Sequence, residues 1–517
     1  MGLGHLLREP TLPTPSETRR VPLAIIGGGI GGLSAGWKLA KSGFKDFLIV
    51  EMEAAVGGNS RSRRNEVSAY PLAAHYLPLP TREATAVREL LAELGVLQGD
   101  PRAERPRYDE RFLCAMPQER LYRNGWWQDG LLPQIGVGAA EREQYHRFYA
   151  LLEAFKHRRD AGRHAFALPM ERSSRAPDLL ALDKLTMRDW LLGQGLDSPH
   201  LHWYVDYACR DDYGTRSGEV SAWAGIHYFA CRSGEALEAS GDTVLTSPGG
   251  NAWLAEGLAQ SIKSRAGDCL LTGAMAYRVA EENGRVLVDL WLPAEKRALR
   301  LEAEQLIWAA PLFLVPHVFV GQDKLKAAAR SYSHAPWLVA NLHIDAPLND
   351  REGAAPAWDN VLFADAVQGG LGYVDAGHQR LDPRPAPTVL SYYQALGDQP
   401  QAREQLATQP WTHWANATLA ALSVPHPDLP RRATRVDITR YGHAMSIPTP
   451  GVLGFLGQIG LKPISDKRKQ LSNGERTAWL PTPTTARLAF AHSDWSGYSV
   501  FEEAFTRGHG AGLAVAG

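Results

Sequence analysis

Gly27, Gly29 and Gly32 stand in the spacing Gly-x-Gly-x-x-Gly, directly after the apolar residues 23–26 and directly before a run of small residues. That order of residue types suits a phosphate. The first glycine permits the tight turn out of a strand, the second lets a pyrophosphate reach the backbone, and the third lets helix and strand pack closely. The helix that follows points its free N–H groups and the positive end of its dipole at the same anion. A second apolar run, residues 47–50, ends on Glu51, about 20 residues after the last glycine, where a carboxylate can accept the hydroxyls of a ribose. Strand, turn, helix, strand and acid are all in register, which a chance glycine-rich turn does not provide. Residues 23–51 read as a dinucleotide site.

The residues just beyond Glu51 separate one dinucleotide from another. A nicotinamide enzyme needs nothing particular there, whereas this chain continues Val56-Gly57-Gly58-Asn59-Ser60-Arg61. With that continuation the sequence resembles the flavin amine oxidase superfamily, which includes monoamine and polyamine oxidases, protoporphyrinogen oxidase and the phytoene desaturases. The resemblance implies that Gly57 and Gly58 let the backbone pass along an extended FAD, with Asn59 and Ser60 in the same turn and Arg61 near the flavin. Asn59 stands where many members carry a first Arg. Read as residues alone, Arg61, Arg63 and Arg64 also suit a solvated basic turn.

Residues 487–515, RLAFAHSDWSGYSVFEEAFTRGHGAGLAV, resemble the closing motif of the same family. The resemblance implies that Asp494 replaces the Glu that bonds the ribityl chain or pyrophosphate. It also sets Gly497 and Tyr498, within Trp495-Ser496-Gly497-Tyr498, beside the cofactor. N–H groups at the start of the next helix can stabilise negative charge on a reduced flavin. His492 stands in a Gly position and the loop 498–504 is two residues longer than usual, so the register of ring contacts is blurred. Asp494 equally suits a plain helix cap. Gly249-Gly250-Asn251 and on to Leu254 resembles the family's Gly-Gly-x-x-x-Leu segment, and Met275 best matches the residue whose backbone meets the adenine.

Flavin oxidation moves a hydride equivalent from substrate to N5, so the protein chiefly supplies placement, electrostatics and exclusion of water. The resemblance passes residues 70–76 along the isoalloxazine, where His75 could polarise N5 or a substrate heteroatom, or be structural. It sets Tyr441 and His443 in an aromatic wall over the flavin; a packed surface loop is the other reading. Asp211 and Asp212 could meet a cationic amine, since a buried carboxylate needs a partner charge. They could instead pair with Arg210 or cap a helix. Two departures from amine oxidases stand out. The strand expected at residues 338–345 has no Lys, with Asn341 nearest its place, and residues 441–451 offer no Cys for a covalent flavin. FAD is therefore expected to be held noncovalently, and no metal is expected.

These groups need elements to carry them. A chain of 517 residues implies two or three domains. The expected class is α/β: a Rossmann-type FAD-binding domain of the amine oxidase type with an interleaved α+β substrate domain. The segments are a disordered lead-in (1–20), FAD-binding segments at 21–101, 240–320 and 432–517, and substrate segments at 102–239 (mostly helical) and 321–431. Helical periodicity marks residues 81–97 and 141–157, and an Asn283-Gly284 turn joins two expected strands. Lys and Arg number 55 against 56 Asp and Glu, which gives no support for a nucleic-acid partner or a membrane surface. No apolar run is long enough to span a bilayer. Four scattered cysteines suggest free thiols in a reducing compartment. Arg19-Arg20 mimics a twin-arginine signal, but the apolar residues after it belong to the first strand, so a cytoplasmic protein is expected. The expected function is oxidation of a small amine, with dioxygen reoxidising the flavin to give hydrogen peroxide. Dehydrogenation or desaturation of an apolar, alkene-type substrate, or a non-catalytic FAD-stabilised scaffold, stays open beside it.

Overall fold

The strand Glu17–Ile26 lies inside a seven-stranded sheet, parallel on one side to Phe47–Val50 and on the other to Arg297–Trp308. The computed structural model describes residues 2–8, 12–363, 369–382, 384–458 and 486–516. Leu270–Leu271 extends the sheet beyond Phe47–Val50, and Leu488–Phe490 pairs with the end of Arg297–Trp308. The hairpin Met275–Glu282 and Arg285–Leu292 continues the other edge, turning through Asn283 (φ 50°) and Gly284 (φ 72°) as the Asn-Gly signal requires. One face is covered by the helices Ile30–Lys41, Ala252–Ala266 and Phe501–Ala516, which close a core containing Leu33, Trp37, Leu258 and Phe505. A parallel sheet covered by helices is the Rossmann arrangement expected from the glycine turn.

Two boundaries differ from the sequence reading. Glu17 to Arg20 already lie in the first strand, so part of the expected lead-in pairs with residues 299–302. Arg20 meets Glu302 at 3.2 Å, which makes the twin arginines strand residues. The second difference concerns the expected start of the last FAD-binding segment at residue 432. The strand Ala433–Ser446 instead joins a second seven-stranded sheet, antiparallel to the wholly buried strand His334–Ile344. That sheet continues through Thr388–Ala395, Gly370–Asp375, Asp359–Leu362, Glu119–Arg123 and Trp126–Asp129. Residues 459–485 of the expected last segment lie outside the described residues. The region 102–239 thus supplies two strands as well as the helices Ala139–His157, Pro199–Tyr213 and Ala222–Ala230, whose apolar faces share a core around Phe148, Trp190 and Trp223.

Among the described residues no helix is long and apolar enough to cross a membrane, and no cluster of three metal-ligating side chains occurs. All four cysteines are buried and free.

Candidate functional site

Gly27 takes φ +111°, and a Cβ there would stand 2.8 Å from the Ala309 carbonyl oxygen. A Cβ on Gly32 would lie 1.8 Å from the Gly27 carbonyl oxygen, so only glycine lets the helix start this close to the turn. Gly29 caps the helix Ile30–Lys41 without any side-chain hydrogen bond, which leaves the first-turn N–H groups to a ligand. The second glycine pair closes on the first. The Gly57 N–H donates to the Gly28 carbonyl at 2.7 Å, and a Cβ on Gly58 would lie 3.2 Å from the Gly29 Cα. The Glu51 carboxylate lies beside this cradle, accepting from the N–H groups of Gly28 and Glu53, both at 2.8 Å. Arg61 donates to the Gly58 carbonyl at 2.9 Å and approaches Glu53 at 3.5 Å, so it braces the turn. Ser60 is buried beneath it, and Asn59 reaches across to the Ala444 carbonyl at 2.9 Å. Met275 opens its strand directly after Ala274, whose N–H donates to the Glu51 carbonyl at 3.0 Å. Bare backbone, an uncapped helix start and a carboxylate about 20 residues on fit the pyrophosphate and ribose of a dinucleotide.

From Asn59 a cavity runs into the second domain, walled by His75, Trp337, Tyr393, Tyr441 and Tyr498. His75 stacks on Tyr393 with ring centroids 4.4 Å apart. Tyr393 and Tyr441 donate to the carbonyls of Ala73 and Leu72 at 3.0 and 3.1 Å, which fixes the segment carrying His75. Burial lowers the His75 pKa to about 4, so the imidazole is neutral at physiological pH. His443 lies elsewhere, stacked on Phe313 at 4.2 Å, with burial and Arg403 lowering its pKa to about 3. His75 and Tyr441 share the cavity; His443 does not line it.

The far end of the cavity is acidic. Tyr76 donates to Asp211 at 2.7 Å, and the Arg232 guanidinium donates to Asp212 at 2.7 Å and to the Tyr76 hydroxyl oxygen at 3.2 Å. Arg232 also sits 4.0 Å over the Tyr228 ring. Arg210 is not the partner of these acids; it pairs with Asp398 at 3.0 Å. Arg210 lies about 200° around the helix from Asp212 and so points away from it, toward Asp398.

A family profile described as NAD(P)-binding Rossmann-like domain matches residues 25–94. The solved structure of putrescine oxidase bound to putrescine is similar at a TM-score of 0.66 with 15% identity, covering 96% of this chain and 99% of that one. Cyclohexylamine oxidase from Brevibacterium oxydans gives 0.63 with 16% identity, over 96% and 98%. The chain has the fold of these amine oxidases. A fatty acid isomerase from P. acnes gives 0.63 with 14% identity, over 95% and 97%, so one architecture carries different chemistries. A Baeyer-Villiger monooxygenase of Pseudomonas aeruginosa is 44% identical over 61 residues, 12% of this chain and 11% of that relative's own length.

Within this amine oxidase fold, Asp494 is wholly buried, and its carboxylate accepts from the Leu312 N–H at 2.7 Å, from His334 at 3.1 Å and from the Ser446 hydroxyl. These partners come from the turn after Arg297–Trp308, from His334–Ile344 and from Ala433–Ser446, so the acid ties both sheets together. Gly497, at φ +87°, turns the chain after it, and Tyr498 donates to Glu503 at 3.0 Å. Burial alone would raise the pKa of Asp494, but His492 and His334 and the hydrogen bonds hold it well below the carboxylate range. A depressed folded-state pKa gives stability that is present above the unfolded value, about 4, and lost as pH falls below it. Asp494→Ala is expected to lower the unfolding free energy by about 3–5 kcal/mol at pH 7, measured in urea. Matching urea midpoints for the variant and the parent would refute this.

Arg232, Asn251, Trp337, Tyr393 and Glu502 also line the cavity, although sequence reasoning did not single them out as site residues. Asn251 was within reach as part of the Gly-Gly-x-x-x-Leu segment; it donates to the Tyr76 carbonyl at 2.7 Å.

Proposed function

We propose that this protein is an FAD-dependent oxidase of small amines. One observation carries the reading. The cavity that begins at Asn59, next to the glycine cradle, ends among acids that outnumber the Arg232 cation beside them. Arg232 is a single cation already hydrogen-bonded to Asp212, so an apolar substrate would leave the remaining desolvated acids sharing it, whereas an ammonium group supplies a second positive charge.

Gly27, Gly29, Gly32, Ile30 and Glu51 would hold the adenosine and pyrophosphate half of FAD, with Met275 at the adenine. Gly57, Gly58, Asn59, Ser60 and Arg61 would support its extended middle, and residues 494–498 would back the ring. When bound there, FAD would supply a two-electron acceptor that dioxygen could reoxidise with formation of hydrogen peroxide. The chain's own part is placement. Trp337, Tyr393 and Tyr441 exclude water and orient the substrate carbon, and neutral His75 offers a hydrogen bond to nitrogen without adding a competing positive charge. Cys231, the thiol in the cavity wall, is held protonated by burial and is unsuited to a covalent flavin link. FAD is thus held noncovalently and should leave with the supernatant when the protein is denatured.

The apolar stretch of wall at Val339 and Leu168 also suits an alkene-type substrate. An anaerobic screen of alkylamines and apolar alkenes, read as loss of oxidised-flavin absorbance, separates the readings. An amine should bleach the flavin, and admitting air should restore it with one peroxide per turnover. Bleaching by alkenes alone supports a dehydrogenase, and bleaching by neither supports a scaffold.

A further inference from the structure

Glu502 is the second residue of the helix Phe501–Ala516, is 1% exposed and lines the cavity. Among the described residues, neither of its carboxylate oxygens reaches a partner on any other residue. A buried carboxyl in that state is costly, because it has surrendered water without gaining a donor. Facing it are Asp212 and Arg232 across the cavity, Glu503 on its own helix and the Cys231 thiol. Arg232 is already engaged by Asp212 and Tyr76. That cation therefore does not hydrogen-bond Glu502, and Asp212 and Glu503 are acidic neighbours.

We infer that Glu502 is the cation-receiving group of this cavity: its carboxylate takes the ammonium end of an alkylamine, so selecting charged over neutral substrates of the same length, and accepts the proton that this nitrogen must lose before the neighbouring carbon can give up hydride. The inference rests on the amine reading and adds to it the residue that discriminates. It also carries a proton consequence. Burial, with Glu503 and Asp212 close by, raises the Glu502 pKa to about 8, so at neutral pH the group is a neutral acid until a cation arrives. Binding then converts Glu502 carboxylic acid plus a cation into an ion pair plus one proton released to solvent.

The test uses FAD-loaded protein and hexyltrimethylammonium, a cation with no hydrogen on nitrogen, with heptanol as the neutral probe. Titration calorimetry at pH 7 in two buffers of different ionisation heat should show release of about one proton per cation bound. Glu502→Gln should weaken the cation roughly tenfold to a hundredfold, abolish the proton release and leave heptanol binding unchanged; Glu502→Asp should restore part of both. Unchanged cation affinity in Glu502→Gln, or binding to the parent protein without proton release, overturns the inference, and the second measurement needs no variant. If the parent oxidises amines while either of those results is found, only the role of Glu502 falls. If the parent binds no cation and oxidises no amine, the amine reading falls with it.

Discussion

Gly32→Ala should yield folded protein that purifies with far less flavin than the parent and binds added FAD about a hundredfold more weakly. The new methyl would sit 1.8 Å from the Gly27 carbonyl oxygen and 3.0 Å from its carbon, both backbone atoms that no side-chain rotation can clear. The turn must move away from the helix start, and the first-turn N–H groups then no longer converge with it on one phosphate. Losing two charge-assisted hydrogen bonds at about 1.5 kcal/mol each costs about 3 kcal/mol, or about a hundredfold in affinity. Gly138→Ala is the matched control. That glycine has an ordinary φ of −79° and meets nothing within 4 Å, so its variant should keep the flavin-to-protein absorbance ratio of the parent. A yellow Gly32→Ala protein at full stoichiometry would contradict the cradle geometry.

The cradle was legible in the sequence because everything that defines it is local. The motif glycines Gly27, Gly29 and Gly32, the acid Glu51 and two apolar runs all fall within residues 23–51, and each has one steric or electrostatic reason to be there. The second sheet was not legible, because several of its pairings join segments distant in sequence, Ile344 with Thr388, His334 with Ser446 and Asp359 with Glu119. His334–Ile344 lies between Thr388–Ala395 and Ala433–Ser446, and the latter strand is only half-buried along its length, so its alternation is weak. That is why residue 432 looked like a return to the first domain. Asp211 and Asp212 could be singled out as residues that need a cation, but not the source of that cation. Arg232 lies on the next helix connection, twenty residues on, and no periodicity links the two. Glu502 escaped notice for a different reason. Acids in the first turn of a helix ordinarily complement its dipole at the surface, so Phe-Glu-Glu reads as a solvated helix start. Only the fold shows that this turn is buried, with Glu502 facing the cavity.

Arg232→Met should cause the largest loss of stability of any change in the cavity. Its guanidinium holds Asp212, supports the Tyr76 hydroxyl that donates to Asp211, and lies over the Tyr228 ring. Removing it leaves Asp211, Asp212 and Glu502 facing one another without a counter-ion, and breaking a buried pair from one side typically costs about 3–5 kcal/mol. The sign of the pH dependence comes from the same acids. Burial already raises the Asp212 pKa to about 6 and the Glu502 pKa to about 8 even with Arg232 present. A carboxyl with a raised folded-state pKa holds its proton more tightly folded than unfolded. Its contribution is full below the unfolded value, about 4, and falls away as pH rises through 6 and then 8. Without the arginine those values rise further. The gap between variant and parent melting temperatures should therefore be small near pH 5 and widest near pH 8. Adding Asp212→Asn to Arg232→Met should recover part of the loss, because the two residues act through one network and their effects do not add. A gap that stays constant across that pH range would mean that Arg232 stabilises the cavity by packing on Tyr228 rather than by charge.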